Sequence, residues 1–153
     1  LHKEPVRLSK LLRSYAADLL NAGIPERYSL EMKISKDAET AVIECDARLI
    51  SRAINNLVQN SINHNPQGCT ISLGLIRSDT AIFLTVADNG VGLSAEKLRE
   101  LEEKPHYMES TDERLDLRHG LGLLLVRQIV EAHGGTIEME STPQNGYKTV
   151  LTF

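Results

Sequence analysis

Three asparagines share one face of a predicted helix in the segment from Arg52 to His64. Asn56, Asn60 and Asn63 are spaced at i, i+4 and i+7. Asparagine is a poor residue inside a helix, because its side chain competes for backbone hydrogen bonds. An amide oxygen is a hard, neutral ligand that suits Mg²⁺, and an amide NH₂ suits a phosphate oxygen. This face is therefore a candidate phosphate and metal site, although a solvated polar face would show the same pattern.

Two glycine-containing segments could complete such a site. The first, Asp88-Asn89-Gly90-Val91-Gly92, follows a predicted strand, where a buried carboxylate would need a polar partner. The second, Arg118-His119-Gly120-Leu121-Gly122-Leu123, opens a second predicted helix. Free N–H groups at the start of a helix bind phosphate, and glycines let the phosphate approach closely. Each segment also has a simpler explanation, a surface turn for the first and a hinge for the second.

Apolar periodicity predicts the elements that would position these segments. The Asn segment carries its own apolar stripe, and Asp46 is predicted to cap the helix. The predicted helices and strands are: an extended entry at Glu4–Val6, a helix from Leu8 to Leu20 stopped by Gly23, strands at 28–34 and 41–45, the Asn helix, strands at 70–76 and 81–87, a helix at 94–103, a polar loop at 104–118, a helix at 121–132, and a closing hairpin up to Phe153. Hairpins mixed with helices predict an α+β fold, with a mixed sheet and helices on one face.

Composition limits the function classes. The 153 residues predict one domain, and the net charge of −4 argues against a nucleic-acid role, which needs a basic patch. Cys45 and Cys69 are the two cysteines, and without a C-x-x-C pair they indicate neither a metal site nor a disulfide framework. The sequence has no signal peptide and no apolar run of transmembrane length. It also lacks an initiating Met, so we expect a piece of a longer protein.

The three segments resemble, in order and near spacing, the N, G1 and G2 boxes of sensor histidine kinases. The resemblance to the catalytic ATP-binding domain of that family runs from about Glu4 to Phe153. It implies the Bergerat fold, a two-layer α/β sandwich in which helices cover one face of a mixed sheet. It also implies ATP and Mg²⁺ as ligands, and it makes residues 104–120 the ATP lid.

The resemblance assigns roles to single residues. It implies that Asp88 accepts a hydrogen bond from the adenine amino group, while a guanine carbonyl would oppose the same carboxylate. It implies that the Asn60 amide oxygen coordinates Mg²⁺ and that Asn56 and Asn60 serve catalysis. Further nucleotide contacts are implied for Asn63, His64, Gly90, Gly92, Arg118, His119, Gly120, Leu121, Gly122 and Leu123. Related ATPases carry a Glu at the place of Asn56 as general base, and since Asn cannot accept a proton, phosphoryl transfer is favoured over hydrolysis.

The chain also departs from the family pattern. Many members have Lys where this chain has Asn63, and Arg114 or Arg118 is a hypothetical substitute for that charge. The lid lacks the family's Phe, and Arg118 stands where Gly is common. These departures concern the geometry of the lid and the nucleotide affinity rather than the fold.

None of the five histidines lies in the acceptor motif of the family. We therefore predict phosphoryl transfer from ATP to a histidine on a separate dimerisation domain, with a response regulator downstream. The resemblance implies a cytoplasmic domain of a parent attached to the bacterial inner membrane through segments absent here. Two alternatives stay open: a stand-alone anti-sigma-factor serine kinase, and a degenerate domain that binds a partner without ATP.

Overall fold

The structure, a computed structural model, describes residues 1–103, 122–141 and 144–153. Strands and helices alternate irregularly along these residues. In chain order they are β1 (Glu4–Arg7), α1 (Leu8–Ala22), β2 (Tyr28–Ile34), a 3₁₀ turn (Lys36–Ala38), β3 (Val42–Cys45), α2 (Ala47–His64), β4 (Cys69–Arg77), β5 (Ile82–Asp88), α3 (Ala95–Glu103), α4 (Gly122–Ala132), β6 (Thr136–Ser141) and β7 (Tyr147–Thr152).

Five strands form the main sheet in the order β2-β4-β5-β7-β6. Strands β2 and β4 are parallel, and the other neighbouring pairs are antiparallel, so the sheet is mixed as predicted. The predicted hairpins β4–β5 and β6–β7 are confirmed, while residues 142–143 within the second turn lie outside the described residues. The α+β, two-layer prediction is therefore confirmed.

Strands β1 and β3 pair with each other in a separate two-stranded sheet. The sequence predicted an extended entry and a short strand at these positions, but it did not predict that they would pair. Their partners are about forty residues apart, as in the pair Glu4 and Cys45. Local periodicity carries no information about pairing over that distance.

The hydrophobic core lies between the main sheet and helices α1, α2 and α4. Alternate residues of each strand point to this side, for example Leu84 and Val86 of β5, which are 0% and 2% exposed. From the helices, Leu12, Ile54 and Val126 are fully buried against them. The helix layer thus covers one sheet face, and it places the Asn helix directly over β4 and β5.

Helices α2 and α4 run antiparallel and are joined at one end. The Asp46 N–H, at the start of α2, donates a hydrogen bond to Nε2 of His133 at 3.0 Å. Because Nε2 accepts, the ring proton lies on Nδ1, which donates to the Ile129 carbonyl at 2.7 Å. The last turn of α4 is therefore held against the first turn of α2.

The described part of the chain contains no helix with the length and apolar character needed to span a membrane.

Candidate functional site

The Asn helix starts where its cap was predicted. The Asp46 carboxylate accepts a hydrogen bond from the Leu49 N–H at 3.3 Å, so α2 begins at Ala47, five residues before the segment from which it was first recognised. The apolar stripe is buried in the core, which turns the amides toward one flank of the helix. Asn56 and Asn60 are half-buried there, whereas Asn63 is exposed near the end of the helix.

The Asn60 amide faces the start of α4. A Cβ built on Gly122, the first residue of that helix, would lie 3.5 Å from Asn60 Oδ1 and 3.8 Å from Nδ2. The structure thus brings together one predicted metal ligand and one predicted phosphate-binding glycine. Leu123 is 7% exposed and belongs to the core, so its side chain packs inward and only its backbone could face a phosphate.

Asp88 is the last residue of β5 and points into the layer between sheet and helices. In the sheet register it lies beside Ile71 of β4 and Tyr147 of β7, and the three side chains project on the same face. The carboxyl side chain is nearly buried, with 9% of the residue exposed, and Oδ1 accepts the Gly90 N–H at 3.0 Å. A carboxylate in such a place needs hydrogen-bond donors, and a base with an exocyclic amino group would supply one.

Asn65 was not among the residues singled out in the sequence, yet it connects the Asn helix to the Asp88 loop. It is 3% exposed, its Nδ2 donates to the Ser61 carbonyl at 2.8 Å, and its Oδ1 accepts the Val91 N–H at 2.9 Å. Gly90 packs on the same amide so closely that a Cβ there would lie 1.8 Å from Oδ1. Asn65 thus contacts a loop that begins about 25 residues later in the chain, and the local sequence pattern does not show this contact.

His64 lies beside the Asp88 row rather than in the solvent. Its ring centroid is 6.3 Å from that of Tyr147, with an interplanar angle of 57°. Burial lowers the pKa of His64, and the positive charge of Lys97 lowers it further, whereas the negative charge of Asp88 opposes the shift. The lowered pKa favours the neutral form of the His64 ring. The ring of Tyr147 is a second aromatic group beside Asp88, and the sequence did not indicate it.

The remaining predicted residues divide into two groups. Gly92 has a φ of +69°, a left-handed conformation that favours glycine in the turn after Asp88. The predicted contacts Arg118, His119, Gly120 and Leu121, the predicted lid at 104–120, and the hypothetical substitute Arg114 lie outside the described residues.

A cavity of about 380 Å³ borders the Asp88 loop. Its described lining consists of Asn65, Pro66, Gln67, Gly68, Gly90, Val91 and Gln144. Two cavities of about 540 and 440 Å³ lie near the start of α2, and none of the predicted site residues lines them. Of these three cavities, the one at the Asp88 loop is lined by a predicted site residue, Gly90.

The donor set suits a metal that is held mainly by its nucleotide. Among the residues that the structure describes, no group of three or more His, Cys, Asp or Glu side chains could hold a metal ion by itself. Asn60 would offer one neutral amide oxygen, and the missing Cβ of Gly122 leaves space in front of it. Mg²⁺ commonly binds in this way, with few protein ligands and with phosphate oxygens and waters completing the octahedron.

Comparisons with known proteins show the family to which the chain belongs. The profile of the family described as histidine kinase-, DNA gyrase B-, and HSP90-like ATPase matches residues 45–153. The chain is 35% identical over 103 residues to the sensor protein IrlS of Burkholderia pseudomallei, a match that covers 67% of this chain and 22% of IrlS. It is 31% identical over 143 residues to the probable sensor histidine kinase TcrY of Mycobacterium tuberculosis, covering 94% of this chain and 29% of TcrY.

The fold matches solved structures as well. The catalytic domain of the histidine kinase ThkA superposes with a TM-score of 0.80 at 21% identity, covering 100% of this chain and 95% of that domain. The fold implied by the resemblance is thereby confirmed. The chain spans less than a third of the length of IrlS and TcrY, so what those whole proteins do extends beyond what these residues contain.

Proposed function

Because the chain belongs to the family of histidine kinase-, DNA gyrase B- and HSP90-like ATPases, and its relatives are sensor kinases, we propose that it binds ATP with Mg²⁺ and transfers the γ-phosphoryl group to a histidine. The acceptor histidine lies on a separate dimerisation domain of the parent protein. A response regulator then receives the phosphoryl group.

The observation that carries this proposal is the meeting of Asn60 with the start of α4. The side-chain amide stands 3.5 Å from the position of a Gly122 Cβ, so a helix N-terminus and an amide oxygen face one gap. The first N–H groups of a helix have no partner within the helix and carry a partial positive charge. A polyphosphate would receive N–H donors from α4 and be approached by Asn60 from α2.

The base would lie at the other end of the site, over Asp88. His64 lies one turn after Asn60 on α2. The negative charge of Asp88 acts on the pKa of its ring, and the ring lies next to that of Tyr147. Asp88 would accept the amino group of adenine, and the two aromatic rings would offer apolar faces to the purine. This arrangement supports a nucleotide that extends along α2 from Asp88 to Gly122.

The residues position the phosphates rather than activate a nucleophile. Mg²⁺ bound at Asn60 would neutralise charge on the phosphates, which is the chemistry that the metal supplies. Asn56, one turn before Asn60, has an amide that cannot remove a proton from water. The proposed site therefore lacks a general base there, which supports transfer to an incoming histidine nitrogen over hydrolysis.

A two-stage experiment tests the proposal. The first stage titrates the chain with ADP and a non-hydrolysable ATP analogue, with and without Mg²⁺, and we expect saturable binding that Mg²⁺ strengthens. The second stage adds ATP and the isolated acceptor domain of the parent, and we expect acid-labile, base-stable phosphate on a histidine of that domain.

Each stage has a result that contradicts the proposal. Absence of saturable binding at millimolar nucleotide would leave the partner-binding alternative. Binding followed by acid-stable phosphate on a serine would favour the serine-kinase alternative. The exposed Gln59 of α2 supplies a control, since Gln59→Ala is expected to leave both stages unchanged.

A further inference from the structure

We infer that Asn65 is the positioning residue that gives the site its preference for adenine, by fixing the loop whose N–H groups orient the Asp88 carboxylate. This inference rests on the proposed function, since it concerns how the same site reads the base. Asn65 itself would touch no nucleotide, and its effect would pass through Gly90 and Val91.

The Asn65 amide uses both of its ends. Nδ2 donates to the Ser61 carbonyl at 2.8 Å, which ties the side chain to the last turn of α2. Oδ1 accepts the Val91 N–H at 2.9 Å, which ties the Asp88 loop to the same side chain. A side chain needs both a donor and an acceptor to make these two bonds, so the residue type matters as well as its size.

Asn65 is in turn held from behind. Its carbonyl accepts the hydroxyl of Tyr28 at 2.7 Å and the N–H of Gly68 at 2.9 Å. Tyr28 is 5% exposed and belongs to the edge strand of the sheet. These bonds hold Asn65 in place between the sheet and α2, and the loop after Asp88 packs against its side chain.

The loop passes this placement on to the carboxylate. Gly90 lies against the Asn65 amide with no room for a Cβ, and its N–H donates to Asp88 Oδ1 at 3.0 Å. Among the hydrogen bonds of the described residues, Oδ2 of Asp88 takes no donor, so this oxygen remains for the base. If Gly90 shifts, Oδ1 loses its fixed donor and the carboxylate can rotate.

A rotating carboxylate affects adenine and guanine differently. Adenine offers an amino group that needs a fixed acceptor, and its binding weakens when the acceptor moves. Guanine offers a carbonyl at the same place, which a fixed carboxylate repels and a rotated one tolerates. Loosening the loop should therefore lower the preference between the bases more than it lowers the affinity for ribose and phosphate.

The experiment compares Asn65→Ala with Asn55→Ala. Asn55 is a matched control, because it lies on α2, the helix that ends just before Asn65, and its Oδ1 accepts one hydrogen bond, from the Tyr15 hydroxyl at 2.8 Å, on the side that faces α1. Dissociation constants for Mg²⁺ complexes of ADP and GDP are measured by calorimetry, each protein being held about 15 °C below its own unfolding midpoint.

We expect Asn65→Ala to weaken ADP binding about tenfold or more while GDP binding changes by less than about threefold, so that the ADP/GDP preference falls. Asn55→Ala should lose thermal stability but keep both constants. Wild-type preference in folded Asn65→Ala would overturn the inference, and so would an equal loss for both nucleotides. If Asn65→Ala does not fold, Asn65→Ser takes its place, because its one hydroxyl can serve both bonds. We expect this variant to lose part of the ADP/GDP preference, and an unchanged preference would again overturn the inference.

Amide hydrogen exchange separates this inference from the proposed function. In wild type the Val91 N–H should be protected, and Asn65→Ala should speed its exchange by about tenfold without any nucleotide present. A wild-type chain that binds neither nucleotide overturns the proposed function and this inference together. A wild-type chain that prefers ADP, combined with unchanged Val91 exchange in Asn65→Ala, overturns the inference alone.

Discussion

Replacing Gly122 by alanine separates the folding role of the start of α4 from its proposed binding role. The new Cβ would lie 3.5 and 3.8 Å from the two amide atoms of Asn60, which is ordinary van der Waals contact. Gly122 is helical and its φ is not in the left-handed range, so alanine fits the backbone. Alanine is favoured over glycine inside a helix by about 0.8–1.0 kcal/mol, and about half of that is a fair expectation for the first residue.

The folded chain should therefore become slightly more stable. A gain of about 0.5 kcal/mol in the free energy of unfolding corresponds to a rise of about 1–2 °C in Tm for a chain of this size. Circular dichroism without nucleotide measures that change. Gly90→Ala provides the contrast, because its Cβ would lie 1.8 Å from Asn65 Oδ1 and the variant should lose stability instead.

Nucleotide binding should change in the opposite direction. A phosphate oxygen accepts an N–H at about 2.9 Å, and Mg²⁺ lies about 2.1 Å from its oxygen ligands. Neither fits together with a methyl group in the gap between Gly122 and Asn60. We expect the affinity for Mg²⁺-ADP to fall at least about tenfold, or about 1.4 kcal/mol.

Isothermal titration of Gly122→Ala, wild type and the surface control Gln59→Ala measures this loss. A variant that is as stable as wild type, and that binds Mg²⁺-ADP within a factor of about two of wild type, would refute the placement of the phosphates at the start of α4.

Three further predictions concern the other groups of the site. Asp88→Asn keeps an oxygen for the Gly90 N–H but points an NH₂ group at the adenine amino group. The affinity for ADP, measured by direct titration, should therefore fall by more than about tenfold. An affinity equal to that of wild type would show that Asp88 does not bind the base. Asn60→Asp adds a negative charge beside the phosphates, so the ratio of nucleotide affinities with and without Mg²⁺ should rise several-fold, and an unchanged ratio would exclude Asn60 as a metal ligand. Burial lowers the pKa of His64 below its ordinary 6.5. As the pH falls below 6.5, the unfolded chain therefore takes up the proton before the folded chain does. The free energy of unfolding should decrease in this range until the pH passes the lower pKa of His64 in the folded chain. Urea unfolding of wild type and His64→Gln between pH 5 and 8 should show a shallower slope for the variant in that window, and equal slopes would contradict the burial of a neutral ring.

The local chemistry of the sequence predicted the elements well. Asp46 caps α2, Gly23 ends α1, and Asp88 stands at the end of its strand, because each of these features depends on a few neighbouring residues. The family resemblance then placed Asn60 and Gly122 in one site, and the structure brings these two together.

Features that depend on distant partners were not predictable in the same way. The pairing of β1 with β3, the contact of Asn65 with Gly90, and the position of Tyr147 beside Asp88 all join residues more than twenty positions apart. A single sequence shows Asn65 only as the residue before a proline. Its burial is decided by how tightly the Asp88 loop returns to the end of α2.

The hydrogen bond between Asp46 and His133 joins α2 and α4 at one end. A rotation between the two helices about this pivot point would move their other ends apart. Asn60 lies fourteen residues from Asp46 along α2, which at 1.5 Å per residue is roughly 21 Å from that pivot. A separation of about 1 Å between the far ends then needs a rotation of only roughly 3°. A rotation of that size about the half-buried His133 would therefore change the width of the gap where Asn60 meets Gly122.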